Sequence, residues 1–267
     1  MQKLKIYLLT LLLLTFFFSA CSSVPITGRK QLRLIPENEM LSMSFAQYNQ
    51  FLKEHRESNN AEQVAMVKRV GSKIASAVEE YLRQNNLAGE IKNYQWEYHL
   101  IEDSEANAWC MPGGKIVVYT GILPITQNEN GLAVVLGHEI SHAIAHHGDE
   151  RMSQALIAQL GGVALSEALK NKPQETQQIF MAAYGVGAEV GVLLPYSRTQ
   201  ESEADHLGLI FMAMAGYDPN GALTFWERMQ LQSHGSPPVF LSDHPANQTR
   251  INDIKSELPE AMKYYKK

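Results

Sequence analysis

Cysteine is scarce in this sequence, with only Cys21 and Cys110 among 267 residues. If Cys21 carries a lipid, as argued below, no intramolecular disulfide can form. The fold must then be stabilised by its hydrophobic core rather than by cross-links. Cys110 is most simply interpreted as a small buried apolar residue.

The sequence also lacks an excess of positive charge. Its 23 Lys and Arg residues are outnumbered by 28 Asp and Glu residues, for a formal net charge of −5. Runs of basic residues are absent except near the end of the sequence, at Lys263, Lys266 and Lys267. A surface that binds nucleic acid needs clustered basic residues. We therefore predict no nucleic-acid partner.

Beyond its N-terminal region, the sequence lacks an uninterrupted apolar run long enough to span a membrane. Two apolar segments rich in Gly and Ala, 155–169 and 179–194, are interrupted by Glu167 and Glu189. A spanning helix needs about 20 predominantly apolar residues. We therefore favour a buried or membrane-surface helical hairpin, with a pair of transmembrane helices as the alternative.

What the sequence does contain begins with a segment, residues 1–20, typical of a secretory signal peptide. Two lysines precede an almost continuous run of Leu and Phe at 7–18, and two small residues stand directly before Cys21. This order resembles a bacterial lipobox, in which cleavage leaves the cysteine as a lipidated N-terminus. Phe18 stands where Leu is most usual, and an uncleaved anchor is the alternative. Ser22 and Ser23, with no Asp after the cysteine, favour the periplasmic side of the outer membrane.

The remaining sequence predicts a single α+β domain, mostly helical with a small sheet, at residues 36–267 after a linker at 22–35. The hydrophobic fraction of 45% and the charged fraction of 19% are those of a globular protein. Apolar residues at helical spacing predict helices, and alternation predicts strands. The predicted helices are 36–55, 61–84, 130–147, 198–215, 219–232 and 245–258. The predicted extended segments are 94–101 and, within 107–119, two short pieces around a turn at 111–114.

A His-Glu-x-x-His pattern lies within the helix predicted at 130–147. His138 and His142 are four residues apart, so both lie on one face of the helix and can bind one ion. Zinc lowers the pKa of a bound water to about 7, and Glu139, next to the first ligand, can accept the proton. Chance would produce this pattern in a chain of this size on the order of one per cent of the time. We predict one zinc ion per chain, with Glu139 as the general base.

A hydrolytic zinc site needs a third protein ligand and an open fourth position. The nearby His146 and His147 are unsuitable as ligands if the helix continues through them. His146 would lie about 12 Å along the axis from His138, whereas zinc–nitrogen bonds are about 2 Å long. We expect His146 and His147 to be groups at the end of the helix.

A better third ligand lies in the acidic cluster of the helix predicted at 198–215. Glu201 and Asp205 are four residues apart and share a helix face, and the apolar residues around them predict that this face is buried. We predict that Glu201 binds zinc and that Asp205 accepts the second ring proton of a ligand histidine. Glu203 points elsewhere, and we expect it to belong to a solvated acidic face.

These two motifs, His138-Glu139-x-x-His142 and Glu201-x-x-Ala204-Asp205, resemble those of peptidase family M48, the prenyl-protease-type and HtpX-like gluzincins. The periplasmic lipoprotein branch of that family is the most similar. Residues 25–29 resemble its N-terminal signature, and residues 244–251 resemble its C-terminal motif. The resemblance implies a zincin-like gluzincin domain with an active-site helix, Glu201 as the third zinc ligand, and proteins or peptides as substrates.

The resemblance also implies a substrate-binding strand. The segment Asn107-Ala108-x-x-x-Pro112-Gly113-Gly114 is similar to the edge strand of the family, where the substrate backbone pairs by β-augmentation. Asn107, Ala108, Gly113 and Gly114 are therefore the expected substrate-binding residues. Cys110 departs from the family pattern, which often has a plain apolar residue at this place.

Two residues near the end of the chain acquire roles only through the resemblance. His244 or Arg250 would stabilise the tetrahedral oxyanion, or His244 would cap the zinc in a latent state. The implied function is a lipid-anchored zinc endopeptidase acting on unfolded or misassembled envelope proteins. The alternatives are a chaperone-like or assembly-scaffold lipoprotein with a latent zinc site, and a protease embedded in the membrane. The helical repeat domain with which some relatives dock partners does not follow Lys267, which argues against the chaperone alternative.

Overall fold

The structure, a computed structural model, describes residues 21–161, 164–186, 196–232 and 238–266. Within them the chain is mostly helical with two small sheets, as predicted. The helices are α1 (Glu37–Glu54), α2 (Ala61–Gln84), α3 (Leu123–Thr126), α4 (Glu129–Ile144), α5 (His147–Leu160), α6 (Leu165–Asn171), α7 (Pro173–Ala183), α8 (Arg198–Met214), α9 (Gly221–Gln232), α10 (Phe240–Asp243) and α11 (Gln248–Ala261). The strands are β1 (Cys21–Ser23), β2 (Lys30–Leu32), β3 (Glu97–Ile101), β4 (Ala108–Met111) and β5 (Lys115–Tyr119). The signal peptide predicted at 1–20 lies outside the described residues.

The larger sheet has three strands in the order β3-β5-β4. The central strand, β5, pairs in parallel with β3 and antiparallel with β4. All five residues of β5 are buried, as expected of a strand that is covered on both faces. Gly113 and Gly114 form the turn between β4 and β5 with φ angles of 83° and 79°, which glycine adopts without steric cost. Because β4 stands at one end of the strand order, it is an edge strand of this sheet.

Helices α4 and α8 pack against each other at the centre of the fold through two glycines. A Cβ atom on Gly137 would lie 2.9 Å from the carbonyl oxygen of Gly208. A Cβ atom on Gly208 would lie 3.0 Å from backbone atoms of Gly137 and His138. Backbones can approach this closely only where no side chain intervenes. The contact brings the His-Glu-x-x-His segment of α4 against the acidic segment of α8.

The helices α4, α8 and α11 are each preceded by a side chain that accepts a hydrogen bond from a free backbone N–H group of the first turn. Asn128 accepts a hydrogen bond from the backbone N–H of Gly131 at 3.0 Å and begins α4. Ser197 and Gln200 form a reciprocal capping box at the start of α8. Asn247 accepts a hydrogen bond from the backbone N–H of Arg250 at 3.0 Å and begins α11. The helix starts are therefore set by local sequence.

The segment 22–35 differs from the expected linker because it contains a hairpin. β1 pairs antiparallel with β2, and the Val24 N–H donates to the Arg29 carbonyl at 2.8 Å across the turn. Val24 is only 1% exposed and belongs to the main hydrophobic core. We call residues 21–32 the N-terminal hairpin. Pro25 and Gly28, residue types that often interrupt regular structure, lie in the turn of this packed element.

The helix predicted at 130–147 ends earlier than expected, at Ile144. His146 adopts a left-handed conformation with φ of 57°, and α5 begins at the next residue. His is one of the few residue types enriched in this conformation. Gly148 lets α5 pack closely on α7's neighbour Tyr184, whose ring a Cβ atom there would overlap. Helical periodicity in the sequence shows neither the left-handed residue nor this tertiary contact.

The first apolar segment is not one helix of the hairpin that we expected. Residues 155–160 complete α5, and residues 165–169 belong to α6. The second segment begins in α7, and its residues 187–194 lie outside the described residues. Among the helices of the described ranges, none has both the length and the hydropathy that crossing a membrane requires.

The contact between Gly137 and Gly208 gives a direct test of the fold. We expect Gly208→Ala to lower the free energy of unfolding by about 1–3 kcal/mol, because a methyl group inserted into a close-packed contact forces the helices apart. Urea-induced unfolding of the metal-free protein measures the change. Gly89→Ala is the matched control, since a Cβ atom there meets no other atom within 4 Å. Equal stability of the two variants would contradict the close contact.

Candidate zinc centre

Four buried side chains converge where α4, α8 and α10 meet. His138 and His142 come from α4, Glu201 from α8, and His244 directly follows α10. One ligand atom from each lies within 4.8 Å of all the others. The three ligands predicted from spacing are thus brought together, and His244, which only the resemblance singled out, joins them.

The arrangement of these atoms fits a zinc ion. Ligands at tetrahedral positions about 2.0–2.1 Å from zinc are about 3.3 Å apart. His142 Nε2 lies 3.0 Å from His138 Nε2 and 3.2 Å from Glu201 Oε1. The two facing imidazole nitrogens hold lone pairs if each ring carries its proton on Nδ1, so a cation between them relieves their repulsion. Imidazole nitrogens with a carboxylate oxygen form a common ligand set for zinc.

The protonation states of the cluster are governed mainly by burial. Burial lowers the pKa of His138 and, further, that of His142, so both rings are neutral, as metal ligation requires. Burial also raises the pKa of Glu139 to about 8, because its carboxyl group is removed from water. A nearby cation favours the ionised form of Glu139 that can accept a proton.

His138 is held from behind by a carboxylate, where we predicted one. Its Nδ1 atom lies 3.0 Å from Asp205 Oδ1. Asp205 in turn accepts two hydrogen bonds of 2.8 Å from the guanidinium group of Arg250. An acceptor at Nδ1 keeps the proton on that nitrogen and leaves Nε2 free to bind a metal.

His142 is held differently, by residues that sequence reasoning did not assign to the site. Its Nδ1 atom lies 2.9 Å from Nδ1 of His147, and Nε2 of His147 lies 3.1 Å from Glu203. The expectation that Glu203 belongs to a solvated face is wrong, since the residue is only 9% exposed and contacts Thr27 and His147. The N-terminal hairpin covers this side of α8, and helical periodicity gives no signal of such a distant contact.

Arg250 contacts two carboxylates of the site, those of Asp205 and Glu201. Besides its two bonds to Asp205, it approaches Glu201 Oε2 at 2.6 Å through Nη1 and the carbonyl of Pro245 at 3.3 Å. Its guanidinium group lies 3.4 Å from the centroid of the Trp226 ring. These contacts involve all three nitrogens of the guanidinium group. Arg250, one of the two residues considered for oxyanion stabilisation, thus holds Asp205 and Glu201.

His244 is packed into the cluster by two aromatic rings. Tyr196 stacks on its imidazole with ring centroids 5.2 Å apart, and Phe240 lies at 4.5 Å. His244 Nδ1 is 3.0 Å from His138 Nε2 and 2.9 Å from Glu201 Oε1. His244 Nδ1 therefore lies among the proposed ligand atoms, close enough to bind the same ion.

The N-terminal end of β4 adjoins the cluster. The Phe240 N–H donates to the Ala106 carbonyl at 3.1 Å, which joins this end of the strand to the ring beside His244. The Asn107 side chain accepts from the Ala108 N–H at 2.9 Å and donates to the Gly185 carbonyl at 3.3 Å. This end of β4 is therefore joined to the segment that carries Phe240 and His244.

Gly113 and Gly114 lie at the opposite end of β4, a strand of four residues that spans about 14 Å. Their carbonyl groups accept hydrogen bonds from the N–H groups of Gln95 and Glu97 at 2.8 and 2.9 Å. A Cβ atom on Gly114 would overlap the Trp96 ring. These contacts assign both glycines to the turn between β4 and β5, and their role in substrate binding stays a prediction.

The family assignment follows from a comparison with known protein families. The model for peptidase family M48 matches residues 68–258, which include the ligands on α4 and α8 as well as His244. This chain belongs to that family. The match confirms the resemblance, and with the four-residue cluster it confirms the prediction of one zinc ion per chain.

Curated M48 relatives come from both mitochondria and bacteria. The chain is 38% identical over 174 residues to mitochondrial metalloendopeptidase OMA1 of Schizosaccharomyces pombe, covering 64% of this chain and 49% of that protein. It is 28% identical over 261 residues to mitochondrial metalloendopeptidase OMA1 of Homo sapiens, covering 95% and 49%. It is 30% identical over 173 residues to the beta-barrel assembly-enhancing protease of Escherichia coli K12, covering 60% and 34%. The alignments thus span about half or less of these relatives.

Proposed function

We propose that this M48 member is a zinc-dependent endopeptidase of the bacterial cell envelope that hydrolyses unfolded or misassembled proteins. The observation that carries the proposal is the position of Glu139. Its carboxyl group is buried beside the ligand cluster and has an oxygen, Oε1, with no hydrogen-bond partner. A buried carboxylate oxygen without a hydrogen bond at such a centre is suited to proton transfer.

Some residues of the cluster would bind the zinc ion, and Glu139 would transfer a proton. His138, His142 and Glu201 would hold the zinc ion, which when bound acidifies water and polarises the scissile carbonyl. Glu139 accepts a proton from the attacking water and delivers it to the leaving amine. Asp205 and Arg250 keep His138 and Glu201 in position through the contacts described above. The burial of the cluster strengthens each of these electrostatic interactions.

The edge strand β4 supports broad selection of substrates. An extended peptide that adds to a sheet edge is bound mainly through its backbone, so the strand places few demands on sequence. Asn107 and Ala108, at the end of β4 that adjoins the cluster, would position the scissile bond. An extended backbone is available in unfolded segments and is mostly paired in folded proteins. This favours unfolded or misassembled proteins as substrates.

The envelope location rests on the N-terminal sequence and on one group of relatives. The lipobox-like segment before Cys21 supports lipidation, and β1 of the hairpin begins at that residue. A lipid at this place would hold the domain next to the membrane surface. The relative named beta-barrel assembly-enhancing protease is bacterial and supports a role in the envelope, whereas the OMA1 relatives are named mitochondrial.

One observation favours a second candidate, a latent enzyme that serves as a chaperone-like or assembly-scaffold lipoprotein. His244 lies among the proposed ligand atoms, where it would fill the fourth position that a hydrolytic site needs open. His244 Nε2 also lies 3.4 Å from Glu139 Oε1, so it faces the proposed base. Peptide hydrolysis would require His244 to move away from this position.

Replacement of the proposed base tests the proposed activity. We expect Glu139→Gln to retain one zinc ion per chain and to lower the rate of casein cleavage by at least about 10²–10⁴-fold, because it removes a general base. Metal analysis and a cleavage assay measure the two effects. Glu62→Gln, on the exposed face of α2, is the control and should cleave normally.

Cleavage that persists in the zinc-loaded Glu139→Gln protein would overturn the assigned mechanism. Full rescue of a deletion strain by Glu139→Gln would instead support the chaperone-like alternative.

Substitution of His244 separates latency from oxyanion stabilisation. We expect His244→Ala to raise casein cleavage several-fold, because it opens the fourth ligand position without removing the three proposed zinc ligands. The measurement is the initial rate per bound zinc. His206→Ala, a partly exposed histidine on α8, is the control. A fall of about 10²–10³-fold, the size found when an oxyanion donor is removed, would assign the oxyanion role to His244.

The lipid anchor has its own test. We expect cells that express the full chain to incorporate a radiolabelled fatty acid into it, and Cys21→Ser to abolish the label and release the protein into the soluble periplasmic fraction. Cys110→Ser is the matched control, since Cys110 is buried in the fold. Label that remains in Cys21→Ser would reject the lipobox interpretation.

A further inference from the structure

The two histidine ligands on α4 are braced in different ways. His138 Nδ1 faces a carboxylate, Asp205, directly at 3.0 Å. His142 Nδ1 faces a second imidazole, that of His147, at 2.9 Å. His147 is completely buried, and its other nitrogen lies 3.1 Å from Glu203. Asp205 therefore contacts His138 directly, whereas Glu203 is connected to His142 through the imidazole of His147.

The hydrogen-bond geometry permits one arrangement of protons when His142 binds zinc through Nε2. His142 Nδ1 then carries the proton and donates it to Nδ1 of His147. His147 must accept at Nδ1, so its own proton is on Nε2, which donates to Glu203. The proton positions are thus set by the end of the chain of bonds, where an ionised carboxylate can only accept.

Glu203 is kept ionised by groups from the N-terminal hairpin. Arg29 donates to Glu203 Oε2 through Nε at 2.6 Å, and the Thr27 hydroxyl donates to Oε1. A cation and a hydroxyl donor thus face the buried carboxylate of Glu203, which favours its ionised form. Arg29 is itself held by Glu150 on α5, at 2.8 Å from Nη2.

We propose that His147, Glu203 and Arg29 are positioning residues that orient the zinc ligand His142 and so make zinc affinity depend on the N-terminal hairpin. The inference rests on the zinc-binding part of the proposed function and does not require peptidase activity. Outer partners of ligand histidines fix the ring and its tautomer, and their loss typically weakens metal binding or activity 10–100-fold. A purely structural role would change stability and leave the metal site as it was.

Three variants test whether His147 and Glu203 orient the ligand His142. Each is made in the inactive Glu139→Gln background, so that proteolysis plays no part. We expect His147→Leu and Glu203→Gln to weaken zinc binding about 10–100-fold, measured by competition with a chromophoric chelator. We expect a smaller loss in His147→Asn, because its side-chain carbonyl can accept from His142 while failing to reach Glu203. Cobalt-substituted proteins should show altered visible absorption bands, which report the ligand geometry directly.

The neighbouring histidine provides the matched control. His146 is also buried, but it contacts Asp149 and Glu90 instead of a zinc ligand. His146→Asn keeps a residue type that tolerates the left-handed backbone, and we expect its zinc affinity and cobalt spectrum to be unchanged. Arg29→Gln tests the link to the hairpin, and we expect zinc binding to weaken several-fold.

The result that overturns the proposal is zinc affinity and a cobalt spectrum in His147→Leu and Glu203→Gln equal to those of the parent. Thermal unfolding of the metal-free proteins separates this outcome from general destabilisation. If His147→Leu does not fold, Glu203→Gln decides, because it preserves side-chain volume. A normal metal site in an Arg29→Gln protein would remove the hairpin from the proposal. Because the readouts are metal binding, an absence of peptidase activity would reject the proposed function without affecting this inference.

Discussion

The burial of three carboxylates on α8 is the constraint on which the rest of the structure depends. Glu201, Glu203 and Asp205 are all less than 10% exposed, and an ionised group removed from water costs several kcal/mol unless it is well paired. Arg250, near the start of α11, compensates Asp205 and Glu201, and Arg29 of the N-terminal hairpin compensates Glu203. The two arginines, 221 positions apart in sequence, explain why both ends of the described chain return to α8.

A second requirement is that α4 lies close enough to α8 for imidazole and carboxylate groups to share one ion. The glycine contact between the helices meets it, and the capping side chains fix where each helix begins. Packing and electrostatics therefore act together at the centre. Gly137 and Gly208 admit the close approach, and the charges that the approach buries are matched by groups from elsewhere in the fold.

Much of the centre could be predicted from sequence because it obeys helical spacing. His138, Glu139, His142, Glu201 and Asp205 all lie within regular helices, where a difference of four residues places side chains on one face. The bounds of α2, 61–84, were predicted to the residue for the same reason. His147 could not be placed, since the left-handed residue before it resets the helix direction. Glu203 could not be placed because two of its partners, Thr27 and Arg29, lie over 170 positions away.

The turn at His146 has a consequence for recognising similar proteins. Two adjacent histidines face different partners because the chain changes direction between them, His146 toward Asp149 and His147 toward His142. A single insertion or deletion between residues 143 and 146 would rotate the following histidine out of register with the ligand. The five-residue interval from His142 to His147, combined with a carboxylate two positions after Glu201, is therefore a composite pattern. Searching sequences for both halves together would distinguish chains that share this outer bracing from those that share only the ligands.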